Sequence, residues 1–321
     1  MAGLTEDGLM SQQGQGASPL SDRGMYSNIF SFMGLPISRD LSDDSIGAAV
    51  MGVPYDLGTS GRSGTRLGPN GIRQASANLR WEENRWPWDF ALPDRLQAID
   101  YGDIDFLWGD SEDMLDKVEE HAAMITASGK TLISLGGDHF VTLPLLRGHA
   151  RTHGTMAMIH FDAHTDSYEE EQKYNHGCMF YHAPREGLID ANKTIQVGIR
   201  TDYDKPDHPF EVIDGHAANE LSVEQIVARI RNRVGDTPTY LTFDIDGLDP
   251  AYAPGTGTPV VGGLTTSKAL RILQGLADLN IVGFDVVEVS PAYDHADITS
   301  LAAATLALQF LYMRASRIVA D

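Results

Sequence analysis

Residues 156–166 read MAMIHFDAHTD, and their pattern decides the fold. Five of the first six residues are apolar and none of the alternation of a half-solvated strand is visible. A run this short, apolar on both faces, predicts a strand buried in a parallel sheet between two helical layers. At Asp162 the apolar run stops, and His164 and Asp166 come next. The same grammar recurs in GAAVMGVP (47–54), RLQAIDYGD (95–103), TLISLGGDH (131–139), TIQVGIRT (194–201), TYLTFDID (239–246) and IVGFDVVEV (281–289). Helix-like stretches lie between them at 110–127, 222–234 and 266–279. Strands alternating with helices predict an α/β fold, a three-layer α/β/α arrangement around a mainly parallel sheet.

Composition narrows the function. The chain has 321 residues, 24 basic against 45 acidic, and a formal net charge of -21 with His neutral. That field repels phosphate backbones and anionic headgroups and attracts cations, so nucleic acid and membrane partners are not expected. The most apolar stretch, 302–312, is shorter than the roughly 20 residues that span a bilayer. Cys178 is the one cysteine, which excludes an intrachain disulfide; with no secretory signal visible, a reducing, cytoplasmic setting is expected. Residues 1–28, rich in Gly, Ser and Gln, read as a flexible N-terminal arm. No Pro/Ser-rich linker interrupts 45–318 and no internal repeat is visible, so 29–321 reads as a single domain.

Asp and His collect where the apolar runs end: Asp138 and His139, Asp162 to Asp166, the pair Asp202 and Asp204 after Arg200, Asp244 with Asp246, and Asp285 to Glu288. Parallel sheets bind ligands outside the carboxyl ends of their strands, so these groups are expected to converge on one crevice. Of these, His139, Asp162, His164, Asp166, Asp244 and Asp246 place four carboxylates and two imidazoles together. Four carboxylates in one cleft repel one another unless cations neutralise them. Oxygen-rich donors with two imidazoles suit a borderline to hard divalent ion such as Mn²⁺ better than a thiolate zinc site.

The blocks GGDHFVTLPLL, HFDAHTD, NHGCMF, YLTFDIDGLDPAYAPGTGTPVVGGL and DVVEVSPAYD resemble the signatures of the ureohydrolase family, which includes arginases and agmatinases. The resemblance spans about 28–318, and the loops TSGRSGTRLGP, NLRWEENRWPWDF and YHAPREGLID are most similar to those of bacterial agmatinases. It implies an arginase/deacetylase-like fold and two Mn²⁺ per chain. His139, Asp162, Asp166 and Asp244 would bind one ion, and His164, Asp162, Asp244 and Asp246 the other. It further implies that a hydroxide shared by the ions attacks a guanidinium carbon, that His176 is the proton shuttle, and that Glu288 pairs with the substrate guanidinium. The implied reaction is hydrolysis of agmatine to putrescine and urea, in a homo-oligomer, commonly a trimer or hexamer.

Alternatives are guanidinobutyrate, guanidinopropionate or arginine as substrate, a one-zinc deacetylase-like amidohydrolase on the same fold, and a silent regulator binding polyamines or partner proteins. The segment SYEEEQKYN is acidic and shows no convincing cluster of cations, hydroxyls or amides for a carboxylate tail, and none of the six ligand-type residues is missing. Other features read as structural. The glycine-rich loop 58–68 lacks a P-loop ending, Glu169 to Glu171 read as a solvated face, and Cys178 needs no catalytic role. Trp81, Trp86 and Trp88 are expected in the core or a subunit interface, and His160 as a core histidine or one supporting a ligand.

Overall fold

The computed structural model describes residues 30–82, 84–169 and 172–318; the N-terminal arm expected at 1–28 lies outside them. Eight strands occur among the described residues: β1 (Ile46–Val53), β2 (Gln97–Asp103), β3 (Thr131–Gly136), β4 (Met156–Phe161), β5 (Ile189–Ile199), β6 (Glu211–Asp214), β7 (Thr239–Asp244) and β8 (Ile281–Val287). They form one sheet in the order β2-β1-β3-β8-β7-β4-β5-β6, parallel throughout. The helices are α1 (Gly68–Ser76), α2 (Leu92–Arg95), α3 (Ser111–Ala127), α4 (Thr142–His153), α5 (Met179–Arg185), α6 (Gly215–Glu220), α7 (Val223–Val234), α8 (Thr266–Gly275) and α9 (Ile298–Ser316).

The period of two sorts the strands other than β6 onto two cores. In β1, Ala48 and Val50 join one apolar cluster, and Ala49, Met51 and Val53 the other. The first cluster is covered by α1, α7, α8 and α9, the second by α3 and α4. This is the expected three-layer α/β/α fold. Helix starts obey local chemistry: Asp110 accepts the N–H groups of Glu112 and Asp113 at the head of α3, and Ser222 with Gln225 forms a capping box on α7.

Several elements exceed the sequence reading, β6 and α9 among them. β6 is a four-residue edge strand, EVID, too short and too mixed to show a period. The apolar run 302–312 belongs to the longer α9, whose 19 residues are apolar enough to cross a membrane by length and composition. Its apolar window is 72% buried within the fold, however, and Ala303, Ala307 and Leu311 lie in the core. Trp81 and Trp86 are 74% and 81% exposed, so of the two expected places, core or subunit interface, they do not occupy the core. Trp88 does pack, stacking on Tyr312 with ring centroids 6.0 Å apart.

β3, β8, β7 and β4 are consecutive neighbours in the sheet. The loops leaving their carboxyl ends therefore meet over the middle of the sheet, where sequence-distant polar residues are brought within contact.

Candidate metal centre

Each ligand-type residue is held by a strand end. His139 opens the single turn His139–Val141 after β3, Asp162, His164 and Asp166 come directly after β4, Asp244 ends β7, and Asp246 sits in the turn Ile245–Gly247. Gly137 permits the first of these turns, because a Cβ there would lie 1.7 Å from the Tyr55 carbonyl oxygen. That close approach lets Asp138 donate its N–H to Tyr55 and lets the Gly137 carbonyl accept from Glu288. Asp166 and Glu288 adopt positive φ, 48° and 64°. Such backbone costs about 1–3 kcal/mol per residue and clusters at functional sites.

All six residues come together. His139 Nδ1 lies 2.8 Å from Asp166, 3.1 Å from Asp162 and 3.3 Å from Asp244. His164 Nδ1 lies 3.1 Å from Asp246 and 3.3 Å from Asp162. Asp162 turns Oδ2 toward His139 and Oδ1 toward His164, so one carboxylate faces both imidazoles. Asp244 contacts the His139 side through Oδ2, while its Oδ1 accepts the Asp246 N–H.

The hydrogen bonds behind His139 decide what the site needs. Thr242 donates its hydroxyl to the buried Asp285 at 2.6 Å, so it must accept from His139 Nε2, 2.8 Å away. The neutral ring then carries its lone pair on Nδ1, which is buried without a hydrogen-bond partner and aimed at three carboxylates. Lone pair against carboxylate is repulsive unless a cation lies between them. Burial opposes charge on this ring, yet Asp162, Asp166 and Asp244 raise its affinity for a proton well above the usual imidazole range. The same balance of burial against Asp162 and Asp246 lifts His164 to about 12. Asp244 is pushed well up by burial, Asp246 and Asp162. The cluster demands positive charge, and the donor set fits divalent metal ions.

Of the residues that support the ligands, Ser134, Thr242 and Gln196 escaped the sequence reading, whereas His160, Asp138 and Asp285 were named in it. A polar row crosses the sheet at one level: Ser134 pairs with Asp285, Asp285 with Thr242, Thr242 with His160, and His160 with Gln196. The available signal was one polar residue inside each otherwise apolar run. His160 donates to Asp162 Oδ2 at 2.7 Å and is kept neutral by burial, which lowers its pKa to about 4. Asp138, fully buried, accepts the N–H groups of Gly58 and Phe140 and ties the loop after β1 to the site.

A cleft of about 260 Å³ opens on the cluster, lined by Gly58, Ser60, His164, Asp166, Tyr168 and His176 among others. His176 Nδ1 lies 2.8 Å from Glu288 Oε1, which also accepts the His139 N–H at 2.8 Å. Glu288 Oε2 is buried with no partner, so its free acceptor is one oxygen and not the two that planar recognition would use. Ser60 approaches His176 Nε2 with its N–H at 3.0 Å and its hydroxyl at 2.6 Å. Burial lowers the His176 pKa, but Glu288 outweighs it and raises the ring to about 9. The Ser60 N–H suits only the neutral ring, whereas the Ser60 hydroxyl oxygen can accept from Nε2–H when the ring is protonated.

Asp202 and Asp204 do not join the cluster, contrary to expectation. The Asp202 carbonyl accepts from Tyr168, and Asp204 lines a neighbouring cleft with Tyr203 and His208. Arg200, between them and β5, donates to the carbonyls of Asp246 and Val260 and pins the loop after β7. Cys178 is buried and donates to the Asn175 carbonyl. Glu169 accepts from Tyr181 at 2.6 Å, while Glu170 and Glu171 lie outside the described residues.

Comparison with known proteins agrees with this geometry. An agmatinase of Edwardsiella ictaluri is 54% identical over 92% of this chain and 97% of its own length. A crystal structure of a hypothetical agmatinase from Burkholderia thailandensis superposes with a TM-score of 0.88 at 45% identity, covering 92% of this chain and 93% of that one. Proclavaminate amidino hydrolase from Streptomyces clavuligerus gives 0.85 at 37% identity, covering 91% and 99%. The model of the arginase family matches residues 46–313, and the chain belongs to that family.

Proposed function

We propose that the protein is an agmatinase, hydrolysing agmatine to putrescine and urea at a pair of Mn²⁺ ions. The observation that carries this reading is the partnerless His139 Nδ1 facing Asp162, Asp166 and Asp244, taken with the 54% identity to agmatinases. His139, Asp162, Asp166 and Asp244 would hold one ion, and His164, Asp162, Asp244 and Asp246 the other. A pair of divalent ions lowers the pKa of a shared water toward neutrality and so supplies a nucleophile for an unreactive guanidinium carbon. Manganese is favoured over zinc by four carboxylates against two imidazoles.

The chain's own groups do the rest. Glu288 Oε2 accepts from the substrate guanidinium, a charge-assisted bond in a buried site. His176, held by Glu288, gives a proton to the departing amine from Nε2, with Ser60 Oγ beside it. We read 29–321 as one catalytic domain, since a single sheet threads Ile46 to Val287. Urea release from agmatine, arginine and guanidinobutyrate by the manganese-loaded protein tests the proposal. Agmatine is expected to give the highest kcat/KM; faster turnover of a carboxylate-tailed guanidine would overturn the assignment.

A further inference from the structure

A chain of hydrogen bonds reaches Asp162 from the side away from the cleft, and the direction of every bond in it can be assigned. Gln196 in β5 lies opposite His160 in β4. Its side-chain nitrogen is 2.8 Å from the Thr165 carbonyl, which can only accept, so nitrogen and oxygen of this amide are placed without ambiguity. The second amide hydrogen points at His160 Nδ1, also at 2.8 Å. Nδ1 therefore carries the lone pair, and the His160 proton sits on Nε2, 2.7 Å from Asp162 Oδ2. Gln196 Oε1 accepts from His208 Nε2 at 2.7 Å. Every bond from His208 inward donates toward Asp162.

This direction matters because His160 has a rival role. Its ring nitrogen lies within 4.8 Å of donor atoms of His139, Asp162 and Asp166, close enough to be a metal ligand itself. A nitrogen bearing a proton cannot ligate. We infer that Gln196 is a positioning residue of the metal centre: by fixing the His160 tautomer it keeps His160 out of the ligand set and leaves Asp162 Oδ2 oriented for the ion on the His139 side. The inference rests on the two-metal reading proposed above. It also names an asymmetry, since Gln196 acts on Oδ2, whereas Oδ1 faces His164.

Manganese affinity, measured by chelator competition on the full chain, tests it without recourse to turnover. Gln196→Met is placed in two backgrounds: Asp246→Asn, which keeps the His139 side, and Asp166→Asn, which keeps the His164 side. Loss of a group supporting a metal ligand typically costs about 10- to 100-fold in affinity. That loss is expected in the first background, and in the second a change of no more than about 3-fold, below the same range. Equal losses in both, the mark of general loosening, would overturn the role of Gln196, as would no loss in either. A wild-type chain that binds no manganese would instead overturn the proposed function.

Gln196→Glu keeps the test open if the methionine variant does not fold. A carboxylate accepts from His160 Nδ1–H and frees Nε2 as a donor to metal. Nitrogen couplings in the spin-echo spectrum of bound Mn²⁺ should then report an added imidazole on the His139 side; an unchanged spectrum would overturn the inference.

Discussion

Two buried charge clusters lie in this sheet, and they are built on opposite plans. Near the edge, Asp100 in β2 is 1% exposed and receives both prongs of Arg73, at 2.8 and 2.9 Å, with backbone N–H groups of Phe32 and Gly102 completing its shell. A third Arg73 nitrogen donates to Asp103. At the centre, among the described residues, no Arg or Lys pairs with the carboxylates of Asp162, Asp166, Asp244 and Asp246, since Arg200 reaches only the Asp246 backbone carbonyl; these carboxylates instead face the imidazoles of His139, whose tautomer Thr242 sets, and His164. The first cluster closes its own charge and serves the fold. The second leaves negative charge uncompensated and so specifies a cation. Counting acids alone would not separate them; the presence or absence of a guanidinium does.

The largest expected effect comes from removing one charge of the central cluster. Asp244→Asn keeps the acceptor for Asp246 N–H but lowers the negative charge beside His139. Metal uptake and activity should fall together, by about three orders of magnitude or more, since metal-ion catalysis supplies several kcal/mol. The metal-free chain, however, should melt no lower than wild type, because a carboxylate already pushed toward its neutral form is replaced by a neutral group. Calorimetry with and without manganese checks both halves. A metal-free variant that melts well below wild type would place Asp244 with the fold-building cluster.

Arg73→Met should show the reverse pattern. It strands Asp100 without its cation, and breaking such a buried pair costs about 3–5 kcal/mol. In a chain of this size that amounts to a fall in Tm of roughly 10 °C, from about 2–4 °C per kcal/mol. Manganese stoichiometry and kcat of the folded fraction should stay at wild-type values. Loss of metal from a variant that remains folded would show that the two clusters are coupled through the sheet.

The contrast also marks how far the sequence alone could reveal the site. The six ligand-type residues were legible because each stands directly after an apolar run, and a buried parallel strand delivers the residues at its carboxyl end into one crevice. Asp202 and Asp204 obey the same local pattern yet lie elsewhere, because β5 is next to the edge and Arg200 turns the chain toward Val260. Gln196 and Thr242 were not assigned, and Asp285 was placed only among the acids of the crevice, since their roles depend on strand order and register. Thr242 touches Asp285 only because β7 and β8 are neighbours in this alignment, and no spacing along the chain encodes that. Nor could composition tell that Arg73 reaches Asp100 across 27 residues.

Glu288 stands between the two plans, and it carries the smallest of these effects. Like Asp100 it is buried and accepts from the chain itself, through Oε1; like the central cluster, where His139 Nδ1 is unpartnered, it keeps one buried atom, Oε2, without a partner. Glu288→Gln separates these halves. The amide oxygen can still accept from His139 N–H and His176, and Gln meets the positive φ of 64° no worse than Glu, so the fold should not register the change. The amide nitrogen then occupies the open position and presents donors to a guanidinium that also has only donors. A charge-assisted hydrogen bond is worth about 1.5–3 kcal/mol, so kcat/KM should fall about 10- to 100-fold. Tm and manganese content should stay unchanged. The loss should be the same for agmatine and for a slower guanidine such as arginine, because Oε2 would touch only the group they share. Steady-state kinetics on both substrates decides the matter. A loss confined to agmatine would move Glu288 to recognition of the substrate tail, and unchanged kinetics would assign it, with Asp100, to holding the fold.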